Sequence, residues 1–595
     1  MAASPPTLAP PSEVGTPVPS LPDWFPGWAK ELAELYFSGT TSVFLLHGNV
    51  HDLVRVRHDA GDAWCNLSEF LATQLFGAWD VVLHYDLGRG LRPLAGSDPA
   101  RLQGMVQQLA GRLGDAGTWP REPDPVLALI DRYLDRSLVD DSDARKRIAL
   151  LFAYAQYLVP AGDLSSLVRG DAARLVRFLS WAQNPYIKRA NVAFCLIAEK
   201  LTEVNDRLVQ SPHAATIHVP LPDRAERLRF ISARRAAGDR AAGPAERLAD
   251  MTSGLSLVNL NVLLATSKAG GEAGEAKRFG QLKKALIERQ CQGLVEFVEP
   301  KHTLDLVVGH SAACQRLVQD AQWIGQGRLD AAPMGYLITG PVGTGKTFLA
   351  ECYAGAIGIP CVKLRNFRSK YVGETEGNLE QVLTVLRSLG PVVVIIDEAD
   401  AALGSRQAEG DSGTSSRVFS MIASQMGDTS YRGKIVWMLL TSRPDLLPID
   451  LKRQGRAEVH IPLFYPQDDA EVTAMFQAMA RKNQIGLAAD ALTGLTSPQD
   501  AHLSGADIES VMLAARRIGL TAGRDEVQQA DLRQALGEFI PSAQGMEKEM
   551  QEIAAVLECT QQSFLTPAWR EKTAQSGGRA RLQERLVAIR QLLEE

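Results

Sequence analysis

Short unbroken runs of aliphatic and β-branched residues recur along this chain, each cut off by glycine, proline or a polar cluster. IALLFAYAQYLVP (148–160) and PVVVIIDEADAAL (391–403) are two of them. Such runs read as strands buried on both faces, the pattern of a parallel sheet covered by helices on either side. Both lead into a short helix-like segment, but where the second carries Asp397 and Glu398 the first has Ala153 and Tyr154. Towards the C-terminus the pattern changes, and apolar residues fall at helical spacing among mixed charges.

The apolar run at 336–339 opens into YLITGPVGTGKTFLAECYAGAIG (336–358), which then takes on a helix-like pattern. Gly340, Gly345, Lys346 and Thr347 match GxxxxGK[ST] in the strand–loop–helix setting that gives this motif its meaning. The glycines let the backbone curl so that its N–H groups converge on phosphate oxygens, helped by the positive end of the following helix. Lys346 would neutralise the β- and γ-phosphates of ATP, and the Thr347 hydroxyl would ligate Mg2+. Some 50 residues on, VVVIIDEAD places Asp397 to hold the same Mg2+ and Glu398 to polarise the attacking water. Taken alone, two adjacent carboxylates could simply cap the next helix.

Composition narrows the class without changing this picture. The chain has 595 residues, room for three or four domains, with 45% hydrophobic and 22% charged residues, as in soluble globular proteins. A net charge of −6 and the lack of a basic stripe interleaved with aromatics argue against nucleic acid. Seven scattered cysteines form no CxxC pair, and none of the ten histidines lies in HExxH, so a zinc protease is not expected. No run approaches the length of a membrane span, and the Pro-rich start MAASPPTLAPPSEVGTPVPSLP has no secretion-signal pattern; a cytoplasmic protein is expected.

Residues 301–540 resemble a module of the AAA family of ATPases, in its classical clade. TLDLVVGHSAACQRLV (303–318) resembles that family's entry segment, in which Val308 and Gly309 would lie against the adenine. The resemblance spreads the nucleotide contact over Gly340, Pro341, Val342, Gly343, Thr344, Gly345, Lys346, Thr347 and Phe348. SKYVGETEGNLEQVL (369–383) resembles the first pore loop, with Tyr371 and Val372 in place of the pair that grips a polypeptide. LLTSRPDLLPIDLKRQGRAEVHIPL (439–463) resembles the stretch carrying the first sensor, here Ser442, and the arginine fingers, here Arg453 and Arg456. LSGADIESVMLAARRIG (503–519) resembles the helical lid, where Gly505 and Ala506 would approach the base. Fingers given in trans imply a ring, usually of six subunits, acting on a protein client. The family usually carries asparagine where this chain has Ser442, and a hydroxyl has shorter reach and fewer donors than an amide, so slowed hydrolysis would fit.

The N-terminal half repeats the same order. RANVAFCLIAEKLTEVNDRL (189–208) parallels GKIVWMLLTSRPDLLPIDL (433–451), ATIHVPLPDRAERLRF (215–230) parallels AEVHIPLFYPQDDAEV (457–472) through a shared His-centred core, and LSLVNLNVLLA (255–265) parallels LSGADIESVMLA (503–514). TSVFLLHGNVHDLV (41–54) parallels YLITGPVGTGKTFL (336–349) and keeps one glycine, Gly48. The first copy has no phosphate-loop lysine or threonine. Glu199 stands for Ser442, Ser211 and Ala214 for the two arginines, and Leu257 and Val258 for Gly505 and Ala506. Such a site cannot supply the charge stabilisation that phosphoryl transfer needs.

The expected architecture is therefore two tandem αβα modules, each with a small helical lid, the first degenerate. Expected boundaries are a disordered tail (1–22), the degenerate module (23–270), a helical connector (271–300), the large ATPase subdomain (301–465), its lid (466–540) and a helical extension (541–595) that packs on the lid or on a neighbour. The expected function is a ring ATPase that remodels, unfolds or translocates a protein. The alternative is an ATP-dependent assembly or scaffold factor, for example of a multi-protein bacterial machine, in which nucleotide controls oligomerisation.

Overall fold

The computed structural model describes residues 21–58, 61–139, 146–162, 168–236, 244–266, 272–357, 359–365, 374–403, 414–494, 503–540 and 545–594. Two compact units divide the chain, Met1–Ile287 and Glu288–Glu595.

In the first unit the apolar runs form β1 (Val43–Gly48), β2 (Val81–Asp86), β3 (Gly90–Pro93), β4 (Ile148–Ala153), β5 (Val192–Ile197) and β6 (Ala214–Val219). They assemble in the order β3-β2-β4-β5-β1-β6, parallel except for the β2–β3 edge hairpin. Successive side chains alternate between faces. Val43, Leu45, Leu150, Phe152, Phe194 and Leu196 enter one core, while Phe44, Leu46, Ala149, Leu151, Cys195 and Ile197 enter the other. Both faces are covered, so no polar alternation is possible. Helices α1 (Arg224–Ala236), α2 (Ala245–Met251) and α3 (Leu257–Thr266) follow the last strand.

The second unit builds β7 (Val295–Phe297), β8 (Gly335–Thr339), β9 (Cys361–Leu364), β10 (Val392–Ile396), β11 (Ile435–Thr441) and β12 (Val459–Pro462), with α4 (Lys346–Ile357) after β8 and α5 (Ala399–Leu403) after β10. The lid helices are α6 (Asp469–Lys482), α7 (Gly505–Thr521) and α8 (Gln529–Glu538), followed by α9 (Gly545–Glu558), α10 (Pro567–Ala574) and α11 (Gly578–Glu594). The sheet runs β7-β9-β10-β11-β8-β12, the same spatial order as the first, again with one antiparallel edge. The edges differ in origin: β3 follows β2 through a hairpin, whereas β7 arrives from ahead of the whole module. The segment expected as a helical connector is thus helical over Glu272–Gln290 and then gives its end to the sheet as β7.

Strand register fixes how the two copies correspond. Val43 pairs with Phe194 as Gly335 pairs with Trp437, so Gly48 and Gly340, each five residues on, are equivalent. Ile148 pairs with Val192 as Val392 pairs with Ile435, which equates Ala153 with Asp397 and Tyr154 with Glu398. The last strand corrects the sequence match. His47 lies across from His218, but Thr339 lies across from Pro462, so the shared His-centred motif slides by two residues between copies. A two-residue slip returns every side chain to the same face, and the burial pattern alone could not detect it. Ala214, which lies across from Val43, therefore does not occupy the position of Arg456.

Candidate functional site

The C-terminal ends of β8, β10 and β11 meet at the phosphate loop. Gly340 leaves β8 with φ +142°, and a Cβ there would collide with the carbonyl of Leu463 on the chain leaving β12. Gly48 is the same case, with φ +95° and a Cβ only 2.7 Å from Val219 O. The one glycine kept in the first copy is the one that the strand crossing demands, independent of any phosphate.

Beyond Gly340 the loop folds around Lys346. Its Nζ donates to Gly340 O (2.8 Å), Pro341 O (2.9 Å) and Ser442 Oγ (2.9 Å), and burial pushes its pKa down to about 8 against the opposing pull of Asp397 and Asp400. The Thr347 hydroxyl donates to Asp397 Oδ2 at 3.1 Å, and Thr344 donates back to Pro341 O. Hard oxygen donors from Thr347 and Asp397 converging on one point fit Mg2+. Glu398 follows Asp397 in the left-handed region (φ +48°) with its carboxylate exposed, and α5 begins at the next residue. Thr441, beside Ser442, donates to Asp400 Oδ1 (2.6 Å) and so ties the end of β11 to α5.

The lid closes on this loop. A Cβ on Gly343 would meet Ser504 Oγ at 2.7 Å, and one on Gly505 would sit 3.4 Å from Gly343 O. Ser504 and Asp507 form a reciprocal capping box at the start of α7, which brings Gly505 and Ala506 to the loop. Gly309 lies against the Glu471 carboxylate of α6 beside half-buried Val308. Phe348 turns towards His302 and Lys482. Arg453 and Arg456 both pair with Asp450, but their settings differ. The Arg453 side chain is 62% exposed, whereas that of Arg456 is 16% exposed and donates to Asp450 O at 2.6 Å. Tyr371 and Val372 lie outside the described residues.

Several participants escaped the sequence reading. Lys363, in β9, places its Nζ 2.7 Å from Asp397 Oδ2 and shares that oxygen with Thr347; a lysine inside a buried run, near the strand's C-terminal end, was a usable signal. Tyr465 donates to Val342 O (2.9 Å), and Val342 N–H donates to Gln551 of α9 (3.0 Å). Nothing local in the sequence marks Gln551.

Three family models match the chain: the AAA+ chaperone N-terminal Rossmann-like domain over residues 18–220, the AAA+ chaperone second helical domain over 223–292, and the ATPase family associated with various cellular activities over 336–465. Residues 336–465 thus match an AAA ATPase-family domain, preceded by two segments that match AAA+ chaperone domains. Its similar relatives include the "ATP-dependent zinc metalloprotease FtsH 3" of Sphaerobacter thermophilus, 32% identical over 35% of this chain and 42% of the relative. The "Cell division cycle protein 48 homolog" of Archaeoglobus fulgidus is 33% identical over 33% of this chain and 28% of its own length. The "Proteasome-activating nucleotidase" of Methanothermobacter thermautotrophicus is 29% identical over 36% and 52%. The chain thus spans about half or less of each of these relatives. Among the described residues no helix is long and apolar enough to cross a membrane.

The first AAA copy has filled its own site. Tyr154 keeps the left-handed kink of Glu398 (φ +57°) but stacks its ring on His51, with centroids 5.4 Å apart. Four residues past Gly48, Asp52 is 4% exposed and accepts from Leu257 N (2.8 Å) and Val258 N (2.9 Å) at the start of α3, and from Asn49 (2.8 Å). Burial raises its pKa against those donors. A cleft of about 800 Å3 beside it is lined by Trp24, Asn49, Asp52, Pro220 and Leu257 among others. A fixed carboxylate at that point would repel phosphate and fasten the lid in its place. Asp52→Ala should remove roughly 2 kcal/mol of local stability by stranding those amides. Hydrogen exchange at Leu257 and Val258 should then quicken about 30-fold, and unchanged protection would show that Asp52 does not hold α3.

Proposed function

We propose that the C-terminal module hydrolyses ATP with Mg2+ and, within a ring of such chains, uses the turnover to remodel, unfold or translocate a protein client. The observation that carries this reading is the convergence of Lys346, Thr347, Asp397 and Ser442, drawn from separate strand ends, with Lys346 to Ser442 at 2.9 Å and Thr347 to Asp397 at 3.1 Å.

The loop N–H groups and Lys346 would bind the β- and γ-phosphates, whose negative charge would offset the burial that lowers the lysine's proton affinity. Thr347 and Asp397 would hold Mg2+, which when bound would supply positive charge against that of the phosphates. Lys363 would then hand Asp397 over and turn to solvent or phosphate. Glu398 would polarise the attacking water, and Ser442 would orient the γ-phosphate together with Lys346. Arg453, exposed and lightly held, would complete a neighbour's site, with Arg456 as the buried support of its segment. The first module would contribute structure and contacts without turnover.

A protein client accords with the relatives' names, a zinc metalloprotease and a proteasome-activating nucleotidase among them, and with the AAA+ chaperone domain models. Gripping would fall to Tyr371 and Val372. Tyr371→Ala is expected to spare ATP turnover while client processing is lost. Intact processing, with only ring assembly altered, would favour the assembly-factor reading instead.

A further inference from the structure

Within the chain, the helices after the lid pack on the large subdomain. Their apolar faces meet the large subdomain: Val556 and Leu565 cluster with Phe464, just past β12. The polar groups of α9 then reach the nucleotide machinery at two ends. Near its middle, Gln551, 4% exposed, accepts the N–H of Val342 at 3.0 Å. At its C-terminus, Glu558 meets Lys452 (2.5 Å), the residue before Arg453, and its carbonyl meets His460 Nδ1 (2.7 Å). From α11, Arg590 pairs with Asp445, which also holds Arg443 next to Ser442.

We propose that Gln551 is a positioning residue for ATP: through the Val342 N–H it fixes the curvature of the phosphate loop from outside, and α9 is thereby part of the nucleotide site. Val342 is pinned on both sides, its N–H by Gln551 and its carbonyl by Tyr465. The next residue, Gly343, is the one pressed against Ser504 of the lid. A loop held at Val342 keeps its later N–H groups aimed at phosphate before ligand arrives. A loop released there samples other curvatures, and affinity falls by the fraction of time the binding curvature is lost. One buried hydrogen bond contributes about 1 kcal/mol, so the expected loss is about fivefold, within a range of roughly threefold to tenfold. The chemistry itself, set by Glu398 and Asp397, should proceed as before once ATP is seated.

This proposal rests on the ATPase reading of the site. Its test uses the full-length protein and a fluorescent ATP analogue with Mg2+. Gln551→Met keeps the volume of the side chain and removes the acceptor. It is expected to raise the Kd for the analogue and the KM for ATP together by about fivefold, with kcat retained. Arg585→Ala breaks only the pair with Glu549 that joins α11 to α9, and should leave Kd unchanged; it controls for loosened helices. Val342→Pro removes the donor, and in that background Gln551→Met should have no further effect on Kd. An unchanged Kd in Gln551→Met, an equal rise in Arg585→Ala, or a full effect in the proline background would each overturn the proposal. Wild-type protein that binds no analogue at all would overturn the ATPase reading, and the proposal with it.

Discussion

Glu398→Gln is expected to leave a protein that binds Mg-ATP but releases phosphate roughly 10²–10⁴-fold more slowly. The amide is nearly isosteric, so the fold is untouched: the side chain is exposed and sits at a kink set by the backbone. What changes is chemistry. A carboxylate can accept a proton from, or polarise, an attacking water; an amide offers a weaker acceptor and adds donors that misorient it. Binding survives because Lys346, Thr347 and Asp397 are unchanged, and Asp397 still accepts from Thr347. Phosphate release and nucleotide retention, measured on one preparation, separate the two effects. Release at the wild-type rate would remove Glu398 from the mechanism. Tyr154 sharpens the argument, because the first copy holds the same left-handed kink without any carboxylate. The kink therefore belongs to the strand-to-helix turn, and the proposed reactivity to the residue placed upon it.

That comparison also shows what the sequence could and could not carry. The buried strands were legible because both faces are covered, which forces unbroken apolar runs such as VVVII in β10 and IALLFA in β4. The phosphate loop was legible because its backbone needs glycine where L-residues would clash, as at Gly340. The sheet order was implied by the AAA resemblance rather than by any local pattern. Register was less legible: the His-centred motif in β6 and β12 matched by letter and not by position. The antiparallel edges were invisible, since β7 is only three residues long and pairs across more than 60 residues of sequence with β9. Gln551 and Asp52 are polar residues on helices and loops, where composition is permissive. Only long-range hydrogen bonds, to Val342 and to Leu257, reveal their roles.

Arg453→Ala should abolish turnover that only an intact arginine on a neighbouring chain can restore. An arginine finger is worth on the order of 10³–10⁵ in rate, because it meets charge that one lysine and one metal leave uncompensated in the transition state. The structure separates the two candidates. Arg456 is 16% exposed and committed to Asp450 O, so its removal should act mainly on packing. Arg453 is 62% exposed, and its pairing with Asp450 at 3.5 Å is a surface ion pair worth little, easily given up for a phosphate. Its backbone is nonetheless placed, because the preceding Lys452 is anchored to Glu558 of α9. A finger needs that combination of fixed base and free head. If it serves a neighbour, Arg453→Ala mixed with Glu398→Gln chains, each inactive alone, should recover turnover at interfaces where the intact pocket of the first meets the intact arginine of the second. No recovery would mean that each chain completes its own site. An Arg453→Lys variant, which keeps charge but not the planar fork, should recover little, since bidentate contact with phosphate oxygens is what guanidinium supplies.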